Sequence, residues 1–187
     1  MLRFGRVVKL AGLCVILLAF SASATTVVYL GDDDLIDNAD KILHATVVDK
    51  SVHRTPDGKR IYTEYRFRVE EMLKGQAQDK EVKFREWGGR HPDGTECWIP
   101  GRGDLSVGDE AVVLLGKVDP STGIGFTEGL ALGKLHVHRG PKGKLVRRST
   151  KGLVAIDGKG SEVIPPNEVR SLTSWKKRIR ERVARRR

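Results

Sequence analysis

The chain has 187 residues and a formal net charge of +10, from 34 Lys and Arg against 24 Asp and Glu, with 21 glycines and two cysteines. The length suits one domain around one modest core and excludes a multi-domain enzyme; with no second apolar run of about 18 residues, a transmembrane bundle is excluded too. A single cysteine beyond the N-terminal apolar run, Cys97, excludes an intramolecular disulfide framework.

At the N-terminus, Arg3, Arg6 and Lys9 precede and enter an almost wholly apolar run, Leu10 to Phe20, which Ser21-Ala22-Ser23-Ala24 ends with small residues. Positive charge, a short apolar core and an A-x-A-like end are the pattern of a secretory signal peptide cleaved near Ala24. The run is shorter than the roughly 20 residues an anchor helix needs. Cys14 follows Leu13 rather than a small residue and precedes six more apolar ones, so lipidation is disfavoured. The protein is therefore expected to be exported, to the periplasm or beyond. Residues 1–24 are set apart as signal, 25–164 as a β domain and 165–187 as a basic helix.

After the signal, Asp32-Asp33-Asp34-Leu35-Ile36 opens a short helix ending near Ala39. Asp32, Asp33, Asp34, Asp37 and Asp40 lack the spacing and glycine of a calcium loop; capping and the helix dipole account for most of them. Ile42 to His53 is rich in β-branched residues and reads as a strand. Thr55-Pro56-Asp57-Gly58-Lys59 is a turn, with Pro presetting φ and Gly accepting φ > 0. In the strand that follows, Ile61, Thr63, Tyr65, Phe67 and Val69 share one face, while Tyr62, Glu64, Arg66 and Arg68 share the other. The two strands make a long hairpin, closed at Leu73-Lys74-Gly75. Val82 to Trp87 is a third strand. Glu110 to Val118 is a continuous apolar run, as expected of a strand covered on both faces. Shorter strands are expected at 124–128, 132–138, 144–148 and 152–156. This many short strands in a chain of this size imply a mainly β fold, a small antiparallel OB-like barrel or a sandwich, flanked by the short N-terminal helix.

Charge is segregated along the chain. Residues 175–187 carry eight basic residues and one acid, whereas residues 25–174 hold 23 of each sign. A body without net charge has no nucleic-acid footprint, and nucleic acid is not an expected partner. Behind Pro165-Pro166, Asn167 is a plausible N-cap, and Val169, Leu172, Trp175, Ile179 and Val183 recur at helical spacing within about 120° of one another. Such a C-terminal amphipathic helix either docks its stripe on the domain, leaving the basic face in water, or binds an anionic lipid or polysaccharide surface through Lys176, Lys177, Arg178, Arg180 and Arg182.

Candidate chemistry is thin. His136 and His138 share a strand face and could ligate a metal, but no third ligand is adjacent. His91 and Cys97 flank a Pro-Asp-Gly turn and could form a zinc site or a hydrolase's Cys–His pair. Cys97 is expected to be buried by Trp98 and Ile99. Arg102-Gly103-Asp104 matches the integrin tripeptide at about chance frequency. Its neighbourhood serves to turn the chain into the 110–118 strand, with Leu105 and Val107 expected to pack inward. No cofactor and no enzymatic activity are expected.

The segments ADKILHATVVD (39–49), YTEYRFRVEEMLKG (62–75), VKFREWGG (82–89) and LSVGDEAVVLL (105–115) resemble bacterial exported proteins with a netrin-like fold. That fold is an OB-type barrel similar to the N-terminal domain of tissue inhibitors of metalloproteinases. The resemblance implies a five-stranded barrel and a non-enzymatic, protein-binding role, with a protease among the partners to consider. It does not carry the inhibitors' mechanism, in which an N-terminal cysteine ligates the protease zinc. The mature N-terminus expected here is Thr25.

Overall fold

The computed structural model describes residues 26–76, 79–150, 153–166 and 168–186. The expected signal peptide and Asn167 lie outside them. Among the described residues no helix is long and apolar enough to cross a membrane. Strands make up 47% and helices 15% of the structure, around a closed five-stranded barrel.

In chain order, β1 (Thr26–Val28) and α1 (Asp32–Asn38) precede the long hairpin of β2 (Lys41–Arg54) and β3 (Ile61–Lys74). Then come β4 (Glu81–Trp87), a two-stranded ribbon of β5 (Gly89–Arg90) and β6 (Glu96–Cys97), β7 (Glu110–Val118) and β8 (Gly125–Thr127). The ring runs β7, β2, β3, β4, β8 and back to β7. Its rungs are antiparallel apart from one parallel contact, Glu86 with Gly125, where β4 meets β8. This is the OB-type arrangement, in which a short fifth strand shuts a Greek-key sheet.

Why β7 reads as one apolar run is now clear. Ala111, Val113 and Leu115 point into the barrel beside Leu43, Tyr65, Phe67 and Phe84. Val112 and Leu114 point outward and lie under a second cluster with Leu35, Ile36 and Trp175. That outer layer is completed by β9 (Lys134–Gly140), β10 (Gly143–Arg148), β11 (Val154–Ile156), β12 (Glu162–Val163), β13 (Arg170–Ser171) and α2 (Leu172–Ala184). β9, β10 and β13 extend the barrel sheet beyond β7. β1 pairs in parallel with β11.

The C-terminal helix starts later than its sequence signals suggest. Arg170 and Ser171 add to β10 opposite Val146 and Leu145, and helical geometry begins only at Leu172 behind Ser171. Val169 is thus outside the stripe and more than half exposed. Leu172, Trp175 and Ile179 are buried, and Val183 packs against their cluster.

The acids of α1 do not cap it, since its N-cap is Gly31 without a side-chain bond. Asp32, Asp33 and Asp34 do lie in its first turn, where the helix dipole favours them, and Asp32, Asp33 and Asp37 also hold cations of β10, β13 and α2. Asp32 accepts from Arg148 and Arg170 at 2.6 and 2.5 Å, Asp33 from Arg178 at 2.9 Å, and Asp37 from Arg182. Glu71 on β3 takes Lys176 at 2.9 Å and also Arg180. Burial pushes Asp32 and Glu71 up, but their basic partners outweigh it, so both lie below their ordinary values of 3.8 and 4.5. The Arg182 hydrogen bond lowers Asp37 as well. A carboxylate lowered by folding stabilises the native state above its unfolded pKa, and loses that contribution as pH falls through the folded value. The urea midpoint is accordingly expected to hold down to about pH 5 and to drop below pH 3.8. A D32N/D37N variant, less stable at neutral pH, should show a shallower acid drop; an equally steep one would remove these carboxylates as its cause.

Candidate functional site: a cleft under the 88–104 loop

A cleft of about 420 Å³ opens where the far ends of β2 and β3 meet the segment between β4 and β7. Gly88 and Gly89 turn the chain out of β4 at φ 91° and 134°. A Cβ on Gly89 would stand 2.5 Å from Thr63 Oγ1, so the backbone passes there only as glycine. Cys97 then pairs back with Gly89, and Glu96 with Arg90. The ribbon's tip is tied to the hairpin by Arg54, which donates to Asp93 Oδ2 at 2.7 Å and Thr95 Oγ1 at 2.8 Å.

The return limb of the loop is fastened from beneath. Arg102 Nη1 donates to Thr63 Oγ1 and to the Gly88 carbonyl, both at 3.0 Å. Asp104 accepts from Tyr65 OH at 2.7 Å and from Lys50 Nζ at 2.5 Å. Deeper lies a buried ion pair. Lys134, 2% exposed, donates to Glu86 Oε2 at 2.6 Å, and Glu86 is fully buried. Its other donors go to the carbonyls of Arg102 at 2.9 Å and Gly103 at 3.2 Å. Glu86 Oε1 accepts from Thr127 N and Oγ1 at 3.2 and 3.0 Å. Every ammonium proton thus has a partner, which a charge this deep requires.

Electrostatics follow from this geometry. Burial pushes the Tyr65 hydroxyl far up, and Glu86 adds to the effect, so Tyr65 stays a donor to Asp104. Burial raises Asp104, yet the Lys50 and Tyr65 hydrogen bonds outweigh it and hold the carboxyl below its ordinary value. Burial lowers Lys134, opposed by the Glu86 charge. The result is a polar wall fastened through Arg102, Asp104, Glu86 and Lys134.

On this wall Trp98 is 66% exposed, and Cys97 is a half-buried free thiol lining the cleft. The expectation that Trp98 and Ile99 bury Cys97 is corrected: the thiol is half-buried opposite Gly89, and the indole that follows it faces water. Leu105 is buried as expected, but Val107 is 60% exposed, since Ser106 to Asp109 form a tight turn outside the barrel. Arg102 and Asp104 of the tripeptide are part of the fastening network.

Other candidates from the sequence are placed as follows. His91 Nδ1 lies 3.0 Å from Asp93, while Cys97 stands opposite Gly89. His136 and His138 stack at 6.3 Å, and no group of three or more metal-ligating side chains occurs among the described residues. Of the five helix cations, Lys176, Arg178, Arg180 and Arg182 face carboxylates of the body; Lys177, 76% exposed, pairs among the described residues only with Glu181, at 3.8 Å. Glu86, Lys134 and Tyr65 were not singled out from the sequence. The signal for Glu86 is present, however: alternation from Val82 and Phe84 places it on the inward face of β4. No family model matches the chain, and no curated protein matches it.

Proposed function

We propose that this is an exported, non-catalytic binding module that captures a protein partner through the 88–104 loop. The observation that carries the reading is Trp98. A large aromatic side chain held in water on a rigid rim, beside a cleft of about 420 Å³, is the form of an interface anchor. Support against a hydrolase comes from the ribbon register, which sets His91 against Thr95 and Cys97 against Gly89, with no hydrogen bond between the two side chains among the described residues. A five-stranded barrel is what the netrin-like resemblance implies; the protease-associated partner rests on that resemblance alone, since one barrel hosts many functions. An anionic surface has less support, because lipid or polysaccharide would have to compete with Asp33, Asp37 and Glu71 for the helix cations.

The test is differential capture from a periplasmic or secreted fraction. The wild-type protein is expected to retain a partner that Trp98→Ala loses by at least about tenfold, a hot-spot effect. Far-UV circular dichroism and urea midpoint of Trp98→Ala should match wild type, since an exposed side chain contributes little to folding. Equal capture by both proteins would sink the reading.

A further inference from the structure

Beyond the loop cleft, with which it shares no lining residue, we infer that the open edge of β4 is a second docking site, which takes an extended peptide segment of alternating apolar and acidic residues by strand addition. β4 pairs with β3 along all seven residues, from Glu81 to Trp87. On its other side it makes one rung, Glu86 with Gly125. The barrel is therefore closed at one end of β4 and open along the rest.

The direction of the free backbone groups follows from the ladder. Gly88 N donates to Ile61 O, and Val69 N donates to Lys80 O. In an antiparallel pair these bonded positions alternate, so Val82, Phe84 and Glu86 spend their N–H and C=O on β3. Glu81, Lys83 and Arg85 turn theirs away. The parallel rung to Gly125 draws on the groups that flank Glu86, on Arg85 and Trp87. Glu81 and Lys83 are left with donor and acceptor aimed at a gap without a strand.

That gap is a cleft of about 310 Å³, walled opposite by Leu115, Gly116 and Val118. A strand laid in it would point alternate side chains at Val82, Phe84 and Leu115, which favours apolar residues there. The intervening ones would face the rim. Glu64 is already held by Arg85 at 2.7 Å, which leaves Lys41 and Lys83 against Asp40. Neither lysine has an ion-pair partner among the described residues, so the rim favours acidic side chains. A lysine on an open edge also discourages unspecific pairing; complementary charge on the incoming strand removes that obstacle. The mode is that of peptide-recognition domains, in which main-chain bonds give affinity and alternate side chains give selectivity.

The probe is a labelled peptide of about eight residues alternating glutamate and valine, titrated into the purified protein and followed by fluorescence anisotropy. Saturable binding below about 1 mM is expected. Lys83→Pro removes a seam-facing N–H without touching the β3 ladder, as proline on an edge allows, and should weaken binding about tenfold or more. Lys83→Ala should weaken it less, and Trp98→Ala not at all, which separates this site from the loop cleft. The same peptide with alternate backbone nitrogens methylated along its pairing edge should fail to bind wild type, a comparison that stands even if Lys83→Pro misfolds. Absence of saturable binding, or equal binding of the methylated peptide, would overturn the inference. So would a dimer seen by sedimentation that Lys83→Pro dissolves, because the edge would then belong to a second copy.

Discussion

Replacing Lys134 with methionine is expected to lower the unfolding free energy by about 3–5 kcal/mol, the usual cost of stripping one partner from a buried ion pair. Methionine nearly matches the lysine stem in volume, so the loss would come from electrostatics rather than packing. Glu86, with no exposed surface, would be left as an uncompensated charge, and the carbonyls of Arg102 and Gly103 would lose their donor. Glu86→Gln added to Lys134→Met should recover at least half of the loss. The amide carries no charge, and its oxygen can still accept from Thr127. Urea unfolding of the three proteins decides the matter: a deficit below about 1 kcal/mol for Lys134→Met would show that the pair is not what secures the loop. A second readout follows from position. Because Lys134 holds the backbone at 102 and 103, its loss should speed tryptic cleavage after Arg102 well before the global transition.

Trp175→Ala should be as damaging, at about 3–5 kcal/mol for a buried aromatic truncated to a methyl group. At roughly 2–4 °C per kcal/mol for a domain of this size, Tm would fall by about 10 °C. The indole is 1% exposed and packs in the cluster of Leu35, Ile36, Val146 and Ile179. Arg148, Arg170 and Arg178 lie 5.4, 5.6 and 5.9 Å from its ring. Its Nε1 finds no acceptor, so Trp175→Phe forfeits no hydrogen bond and should cost only about 1–2 kcal/mol. Thermal melts of both variants test this. A loss under about 1.5 kcal/mol for Trp175→Ala would mean the helix is held by its ion pairs rather than by its apolar stripe.

Most of the barrel was legible because alternation is a local property. The Ile61 to Phe67 pattern buries Ile61, Thr63, Tyr65 and Phe67 in turn, and the Pro-Asp-Gly turn sets the hairpin between β2 and β3. Leu172, Trp175 and Ile179 were likewise readable at helical spacing. What escaped depended on residues far apart in the chain. Asp32 meets Arg170 across 138 positions, and Lys134 meets Glu86 across 48, so composition alone suggested helix caps and a free basic face. The late start of α2 has the same origin: Arg170 is claimed by β10 and by Asp32 before helical propensity can act. The loop cleft was read in the sequence only as separate turns and candidate residues, because its shape depends on Cys97 pairing back with Gly89 and on Arg102 reaching Thr63 across 39 positions.

The division into an inner ring and an outer layer bears on the order in which a nascent chain can assemble. Every strand of the ring lies between Lys41 and Thr127, so the ring can shut once that stretch has left the ribosome. The sticky surface of Leu35, Ile36 and Ile42 must wait for Trp175 and Ile179, which are synthesised last. Until then the polypeptide is a finished cylinder with one bare flank, the state in which a chaperone would find something to hold.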